Sequence, residues 1–297
     1  MLKKKPIIFA TGCSFTDPGY FSRHKHLPDE KRGGWPVWPE LIKNKIEKET
    51  GISYELINLA RSGGSNDWVY NTCLDTISKY DQRVKIILIG GTEWMRSHII
   101  PPQKNHQPFA KAGSSNLFHE PEWKWLIPQY QATMEMWAQW STTFGIQEVI
   151  YHNLRHMYTL LQICNDKKIK FIWNQLLNPL PTYNNFKEEI LEYGIPEEEL
   201  RTEERAFEKQ FFVDTILKSP YAKLLVKNKK QFYGFPWAQG GYWENYIWAE
   251  KPLFEAMVMP PTIIDNKKVT DAHPNAFGHK HIALQIWERY GNYLVKN

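Results

Sequence analysis

Short apolar runs recur along the chain, and four of them end in turn-forming residues. The runs are Pro6–Ala10, Tyr54–Leu59, Val84–Ile89 and Lys168–Trp173. Each is about long enough to cross a sheet once and stops at Gly, Asn or Ser, which is typical of a buried strand. The sequence therefore predicts four core strands.

Amphipathic segments separate these runs and predict the helices. One spans Pro39 to about Lys48, and a second begins near Asn66 and Asp67, which could cap it. A long helical region follows from about Gln129 to Asp166, with a predicted break near Gly145. Alternation of strands and helices favours right-handed crossovers, and hence a parallel, doubly wound α/β sheet.

Two segments lack the periodicity of a core element. Residues 101–128 are rich in proline, and residues 179–250 combine a charged helical stretch, Pro196–Lys218, with an aromatic, glycine-rich stretch, Gln231–Trp248. We predict one α/β domain over residues 1–297 that carries these two segments as insertions. The second insertion is expected to form a lid or a docking surface for a protein partner.

Composition narrows the class of function. With 42% hydrophobic and 23% charged residues the chain is expected to fold as a soluble protein, and its net charge of +5 is scattered, so no nucleic-acid partner is predicted. No apolar run is long enough for a membrane span or a signal peptide, which predicts a cytoplasmic protein without a membrane partner.

The cysteine and aromatic content adds two further expectations. Three well-separated cysteines fit a reducing compartment. The 13 Trp, 15 Tyr and 15 Phe mostly predict an aromatic core, although such rings also stack on sugars or bind proteins.

Reactive side chains cluster where the predicted strands end. Ser14 lies in the turn after the first strand, Gly63 and Asn66 follow the second, and Gly91-Thr92-Glu93 follows the third. The carboxyl ends of parallel strands share one edge of the sheet, where ligands of open α/β folds bind. Ser14 could instead simply cap the next segment, as Ser commonly does.

A hydrolytic mechanism accounts for this set of residues. Asp271 and His273, just before the last helix, project to one side of extended backbone, so the carboxylate can orient the imidazole. His273 would then activate Ser14 as a nucleophile. The backbone N–H groups of Ser14 and Gly63, together with the Asn66 amide, could stabilise the oxyanion.

Four blocks in this order resemble the SGNH (GDSL-type) hydrolases. They are Gly-Cys-Ser-Phe-Thr from Gly12, Asn-Leu-Ala-Arg-Ser-Gly from Asn58, Gly-Thr from Gly91, and Asp-Ala-His-Pro-Asn from Asp271. The resemblance implies a flavodoxin-like three-layer α/β/α fold, esterase, deacetylase or acyltransferase activity, and no metal or cofactor. It also implies Ser14 as nucleophile, His273 as base, Asp271 as its orienting group and Gly63 as an oxyanion donor. Divergent members associated with bacteriophage genomes look similar in the first and last blocks.

Two departures from the family pattern bear on activity. Cys13 replaces the usual Asp, which we expect to be tolerated because that position supports the turn. Thr92-Glu93 follows Gly91 where the family has Gly-x-Asn-Asp, so Glu93 stands in place of the oxyanion asparagine. Its carboxylate would repel developing negative charge, so either Asn66 or another donor replaces it or activity is weak or lost.

Other candidate sites are weaker. His152 and His156 have an i, i+4 spacing that could hold zinc, but the glutamate of an HExxH motif is absent, and no metal is predicted. His279 and His281 on the last helix, and His24 and His26 in a loop, are explained by a solvated surface. Cys13 is a rival nucleophile, but its side chain is expected to point away from that of Ser14.

Two classes of function therefore remain open. The first is hydrolysis or transfer of an ester, with an acetylated saccharide as one candidate substrate, through an acyl-Ser14 intermediate. The second is a non-catalytic binding or virion structural protein on the same fold, which would use its aromatic insertions to hold a glycan or a partner.

Overall fold

The computed structural model describes residues 4–20, 33–94, 98–99, 110–111, 127–177, 213–233, 235, 262–264, 267–269 and 273–296. The strands are β1 Ile7–Gly12, β2 Glu55–Asn58, β3 Val84–Gly91, β4 His98–Ile99, β5 Ala110–Lys111, β6 Lys170–Gln175, β7 Phe232–Tyr233, β8 Thr262–Ile264 and β9 Lys267–Val269. The helices are α1 Trp38–Thr50, α2 Asn66–Tyr80, α3 Ile127–Asp166, α4 Ala222–Lys227 and α5 Ala276–Val295, with 3-10 turns at Asp81–Arg83 and Lys229–Gln231.

The core is a five-stranded parallel sheet in the order β2-β1-β3-β6-β7. Ile8 of β1, for example, is in register with Leu56 on one side and Ile86 on the other. The chain starts in the middle of the sheet, moves outward to β2 and then crosses to β3. This order is the flavodoxin-like one, so the predicted fold class is confirmed.

Alternating side chains of β1 build two cores, one on each face of the sheet. Ile7 and Phe9 pack with residues of α2 and α3, whereas Ile8 and Ala10 pack with residues of α1 and α5. Parallel strands are covered by helices on both faces, which explains why the predicted strands read as continuous apolar runs. The result is the three-layer α/β/α arrangement.

Three local predictions differ from the structure. The α2 helix is capped by Ser65, whose hydroxyl accepts from the Trp68 N–H, and not by Asn66 or Asp67. The α3 helix continues through Gly145 without the predicted break. Lys168 has φ +56 and closes α3, so the fourth strand begins at Lys170 and continues to Gln175.

Part of the predicted second insertion belongs to the core. Within residues 179–250, β7 pairs in parallel with β6, and Ile216, Leu225 and Phe232 are buried in the core formed with α2 and α3. The boundary 179–250 is therefore too wide. The remainder of that segment, and most of residues 101–128, lie outside the described residues. None of the helices in the described part of the chain has the length and apolar character needed to cross a membrane.

Candidate active site

The turn after β1 presents Ser14 at the carboxyl edge of the sheet. The N–H groups of Thr16 and Asp17 both donate to the Cys13 carbonyl, at 2.9 and 3.1 Å, which closes the turn tightly. Gly12 is required there because a Cβ would lie 2.7 Å from the Gly90 carbonyl. The Thr16 hydroxyl in turn accepts from the Trp38 indole at 3.2 Å. The turn is thus anchored to both β3 and α1, which fixes the direction of Ser14.

Ser14 and His273 meet, as the sequence predicts. His273 Nε2 lies 2.8 Å from Ser14 Oγ, although the two residues are 259 positions apart. In residues 4–20 no helix follows Ser14, so the capping role is excluded. His273 precedes α5, whose first turn is capped by Asn275 accepting from the Gly278 N–H at 3.0 Å. Asp271, the predicted orienting carboxylate, lies outside the described residues.

Two aromatic side chains contact the His273 imidazole. The Tyr20 ring stacks on it with centroids 4.1 Å apart and planes at 18°, and the Phe15 ring lies 4.9 Å away at 40°. The Tyr20 hydroxyl is 3.0 Å from His273 Nδ1. Because the rings are nearly parallel, that hydroxyl approaches from the face of the imidazole, where a hydrogen bond is weak. Tyr20, which the sequence interpretation missed, supports the imidazole mainly by stacking.

The loop after β2 is held against the Ser14 turn. The Arg61 N–H donates to the Gly12 carbonyl at 3.0 Å, and the Ser62 N–H donates to Asp17 Oδ2 at 2.7 Å. Gly64 packs so closely that a Cβ there would lie 2.7 Å from the Gly12 carbonyl. These contacts bring the predicted oxyanion residue Gly63 to the turn that carries Ser14.

Two backbone donors remain available at this turn. In the described part of the chain, neither the Ser14 N–H nor the Gly63 N–H donates to a protein acceptor. Gly63 has φ +76, the left-handed conformation that glycine adopts most readily. A pair of unengaged backbone N–H groups is the arrangement that can stabilise an oxyanion.

Asn66 and Thr92 are committed to the scaffold. The Asn66 amide donates to Asn153 Oδ1 at 2.8 Å and to the Thr92 carbonyl at 3.4 Å, while its Oδ1 accepts from the Thr92 N–H at 3.2 Å. Asn66 is only 3% exposed and Thr92 is fully buried. The Asn66 side chain and the Thr92 backbone are thereby occupied in joining α2, α3 and the end of β3, whereas the buried Thr92 hydroxyl makes no hydrogen bond within the described residues. Asn153 lies within a helix and in no recognisable sequence motif, so its hydrogen bond with Asn66 could not be predicted from the sequence.

Glu93 follows this network and is half-buried. The preceding Thr92 carbonyl also accepts from Gln175 Nε2 at 2.7 Å, so the backbone that presents Glu93 is held from β6 as well. Gln175 itself is fully buried and accepts from the Trp173 indole at 3.1 Å. The position of Glu93 is therefore fixed by the scaffold, and its effect on charge at the site stays a prediction.

Burial argues against the three cysteines as nucleophiles. Cys13 is fully buried in the core with α1 and α5. Burial raises the pKa of Cys73 well above its usual value and that of Cys164 to about 12, so both stay neutral thiols.

His279 is also buried, contrary to the solvated surface that the sequence predicts. Burial, and then the charge of His273, lower the pKa of His279 to about 3. His24 and His26 lie outside the described residues.

Comparisons with known proteins give structural matches only: no protein-family model and no curated protein matches the chain. It is similar to the lipase Lip_vut3 from a goat rumen metagenome, at 12% identity and a TM-score of 0.41, with 96% of this chain and 97% of that chain covered. It is also similar to the psychrotrophic esterase EstA from Pseudoalteromonas sp., at 10% identity and a TM-score of 0.42, covering 98% and 100%. A GDSL-like lipase from Parabacteroides merdae matches at 14% identity and a TM-score of 0.39, covering 98% of each chain. Such values do not establish a family or an activity.

Proposed function

We propose that this protein is a serine hydrolase of the SGNH type that cleaves ester bonds through an acyl-Ser14 intermediate. The observation that carries the proposal is the 2.8 Å contact between Ser14 Oγ and His273 Nε2 at the carboxyl edge of the sheet. A serine hydroxyl needs an adjacent base to act as a nucleophile, and this distance is within the range required for proton transfer.

The proposed reaction has two halves. Ser14 Oγ attacks the acyl carbon while its proton passes to His273 Nε2, and the resulting oxyanion accepts from the N–H groups of Ser14 and Gly63. The bond to the leaving alcohol then breaks, and the alcohol oxygen takes the proton from His273. A water molecule next attacks the acyl carbon and gives a proton to His273, which returns that proton to Ser14 Oγ as the acid is released.

A small acyl group suits this site best. Ser14 is only 7% exposed, and Phe15 lies beside it in sequence and contacts His273. A nucleophile with little exposed surface favours a short acyl chain on an exposed alcohol. We therefore propose acetyl esters, including O-acetyl groups on saccharides, as the first substrates to test.

Acylation of Ser14 is tested with p-nitrophenyl acetate. We expect a burst of p-nitrophenol and a mass increase of one acetyl group in the wild type, and loss of both in Ser14→Ala. Turnover in Ser14→Ala and in His273→Ala is expected to fall by about three orders of magnitude or more. Ser78→Ala, which removes an exposed hydroxyl from α2, is the matched control and is expected to leave the burst unchanged.

The alternative is a non-catalytic binding protein on the same fold, and Glu93 is the residue that favours it. A folded wild-type protein that shows neither burst nor adduct, with p-nitrophenyl acetate and with acetylated saccharides, would overturn the enzymatic proposal. Binding of those saccharides without turnover would then support the alternative.

A further inference from the structure

A second cluster of titratable side chains lies where α2 meets α3. Asp67 is in the first turn of α2, and His152 and His156 are one turn apart on α3. One ligand atom from each of the three residues lies within 4.8 Å of the other two. The cluster shares no residue with the Ser14 site, and the proposed hydrolysis does not use it.

The three side chains converge on one carboxylate oxygen. Asp67 Oδ1 lies 2.8 Å from His152 Nε2 and 3.5 Å from His156 Nδ1, and the two imidazole centroids are 4.2 Å apart. Tetrahedral zinc with bonds of about 2.0–2.1 Å needs donor atoms about 3.3 Å apart. The two donor–oxygen distances fall on either side of that value, and all three donor atoms lie within 4.8 Å of one another, so the side chains would have to rotate towards a bound ion.

His156 presents a ring nitrogen, Nδ1, to the cluster. Its Nδ1 is buried and makes no hydrogen bond within the described residues. The ring is held in place because Tyr70 stacks on it, with centroids 4.0 Å apart and planes at 5°. A buried, oriented nitrogen without a hydrogen-bond partner is costly unless something binds it.

We propose that Asp67, His152 and His156 bind a divalent transition-metal ion, with zinc as the best match. Two imidazole nitrogens and one carboxylate oxygen are typical zinc donors, and water can complete the coordination. The hard cations Mg²⁺ and Ca²⁺ prefer oxygen donors and match this set less well. The His152 side chain is 44% exposed, which gives an ion access from solvent.

Binding replaces the hydrogen bond between His152 and Asp67 with two bonds to the ion. His152 Nε2 and Asp67 Oδ1 lie 2.8 Å apart, as in a hydrogen bond. Coordination through His152 Nε2 needs the lone pair of that nitrogen, so the neutral imidazole carries its proton on Nδ1, and the ion then bridges α2 and α3. The bridge lies next in sequence to the Asn66–Asn153 hydrogen bond, which joins the same two helices. The ion is therefore expected to stabilise this contact rather than take part in ester cleavage.

The experiment is zinc titration of the full-length protein after treatment with a chelator. We expect one equivalent of Zn²⁺ to bind in calorimetry and to raise Tm, with no comparable effect of Mg²⁺. Loss of a residue that merely supports a metal ligand typically weakens metal binding at least tenfold, and loss of a ligand itself should weaken it more. Each of the variants Asp67→Asn, His152→Ala and His156→Ala should therefore raise the Kd for Zn²⁺ by more than about tenfold. Asp75→Asn, which neutralises an exposed carboxylate on the same helix, is the matched control and should bind as the wild type does.

Co²⁺ gives an independent readout. The wild type should show the visible absorption of a tetrahedral Co²⁺ complex, and Zn²⁺ should abolish it by competition. Absence of Zn²⁺ binding at micromolar concentrations would overturn the proposal. Equal affinity in the wild type and all three ligand variants would also overturn it, because the ion would then be held elsewhere. Neither readout depends on esterase activity.

Discussion

Asp17 Oδ2 accepts a hydrogen bond from the Ser62 N–H at 2.7 Å, which fastens the loop after β2 to the turn after β1. The other carboxylate oxygen of Asp17 accepts from the Gly19 N–H at 2.8 Å. Together with the hydrogen bond from the Arg61 N–H to the Gly12 carbonyl, this side chain positions the loop that carries Gly63 against the turn that carries Ser14. The two proposed oxyanion donors come from these two loops, so their alignment depends in part on Asp17.

Asp17→Ala should lower activity while costing little stability, because both hydrogen bonds of Asp17 are exposed to solvent. Loss of one well-placed oxyanion donor costs about a hundredfold or more in kcat, so a displaced Gly63 N–H should reduce kcat by about tenfold. The measurement is steady-state hydrolysis of p-nitrophenyl acetate together with urea unfolding. Asp75→Ala, an exposed carboxylate on α2, should change neither. An unchanged kcat in Asp17→Ala would show that the loop after β2 keeps its position without the hydrogen bond from the Ser62 N–H to Asp17.

Tyr20 should act on the imidazole mainly through its ring. Because the hydroxyl approaches His273 Nδ1 from the ring face, Tyr20→Phe should reduce kcat only about twofold to fivefold, whereas Tyr20→Ala removes the stacked ring and should cost tenfold or more. KM should change little in either variant. A loss in Tyr20→Phe as large as that in Tyr20→Ala would instead assign the effect to the hydroxyl. The comparison requires kcat and KM for both variants.

Asn66 should be a structural residue. Removing one partner of a buried hydrogen-bond network costs about 1–3 kcal/mol, so Asn66→Ala and Asn153→Ala should both lower the free energy of unfolding by that amount. The double variant should lose less than the sum, because the two side chains share one bond. Urea denaturation measures all three. A hundredfold loss of kcat in Asn66→Ala, with stability unchanged, would restore the oxyanion role that the sequence predicts.

Gly12→Ala should destabilise the turn through steric overlap. The added Cβ would lie 2.7 Å from the Gly90 carbonyl and 2.8 Å from Thr16 Oγ1. Overpacking of this kind costs about 1–3 kcal/mol, and the displaced turn should also reduce activity. Gly34→Ala is the control, because Gly34 has open space around it and only a backbone cost of about 1 kcal/mol from its positive φ. Equal losses of stability in the two variants, measured by thermal unfolding, would contradict the steric explanation.

His279 should make stability fall in mild acid. Its pKa is lowered to about 3 in the folded state, from a usual value of 6.5, first by burial and then by the charge of His273. Between those values the unfolded state binds more protons, so the free energy of unfolding falls as the pH is lowered. From pH 7 to pH 5 this residue should account for about 2 kcal/mol.

His279→Leu should remove that share of the pH dependence. Urea unfolding of the wild type and the variant at pH 7 and pH 5 provides the measurement, and the difference between their slopes isolates His279. If both proteins lose the same free energy over this interval, burial of His279 has no effect on its titration.

The sequence by itself determined the layers of the fold and the two residues that the proposed hydrolysis depends on, Ser14 and His273. Apolar runs such as Ile86–Ile89, bounded by turn residues, predict buried parallel strands, because a strand covered on both faces needs apolar side chains on both. Ser14 follows the first such strand and His273 precedes the last helix, so the order of motifs predicts that they share one edge of the sheet. The 2.8 Å contact between them agrees with that expectation.

Only the tertiary structure decided how individual polar groups are used. The sequence predicts that the Asn66 amide is available to an oxyanion, but in the structure this amide donates to Asn153 Oδ1 and to the Thr92 carbonyl. His279 looks solvated, but α5 turns it towards the core. Asp67 joins His152 only when α2 packs on α3. A short-range pattern of residue types predicts which strands and helices are buried. The hydrogen-bond partner that a polar side chain finds on a distant element depends on how the elements pack in three dimensions.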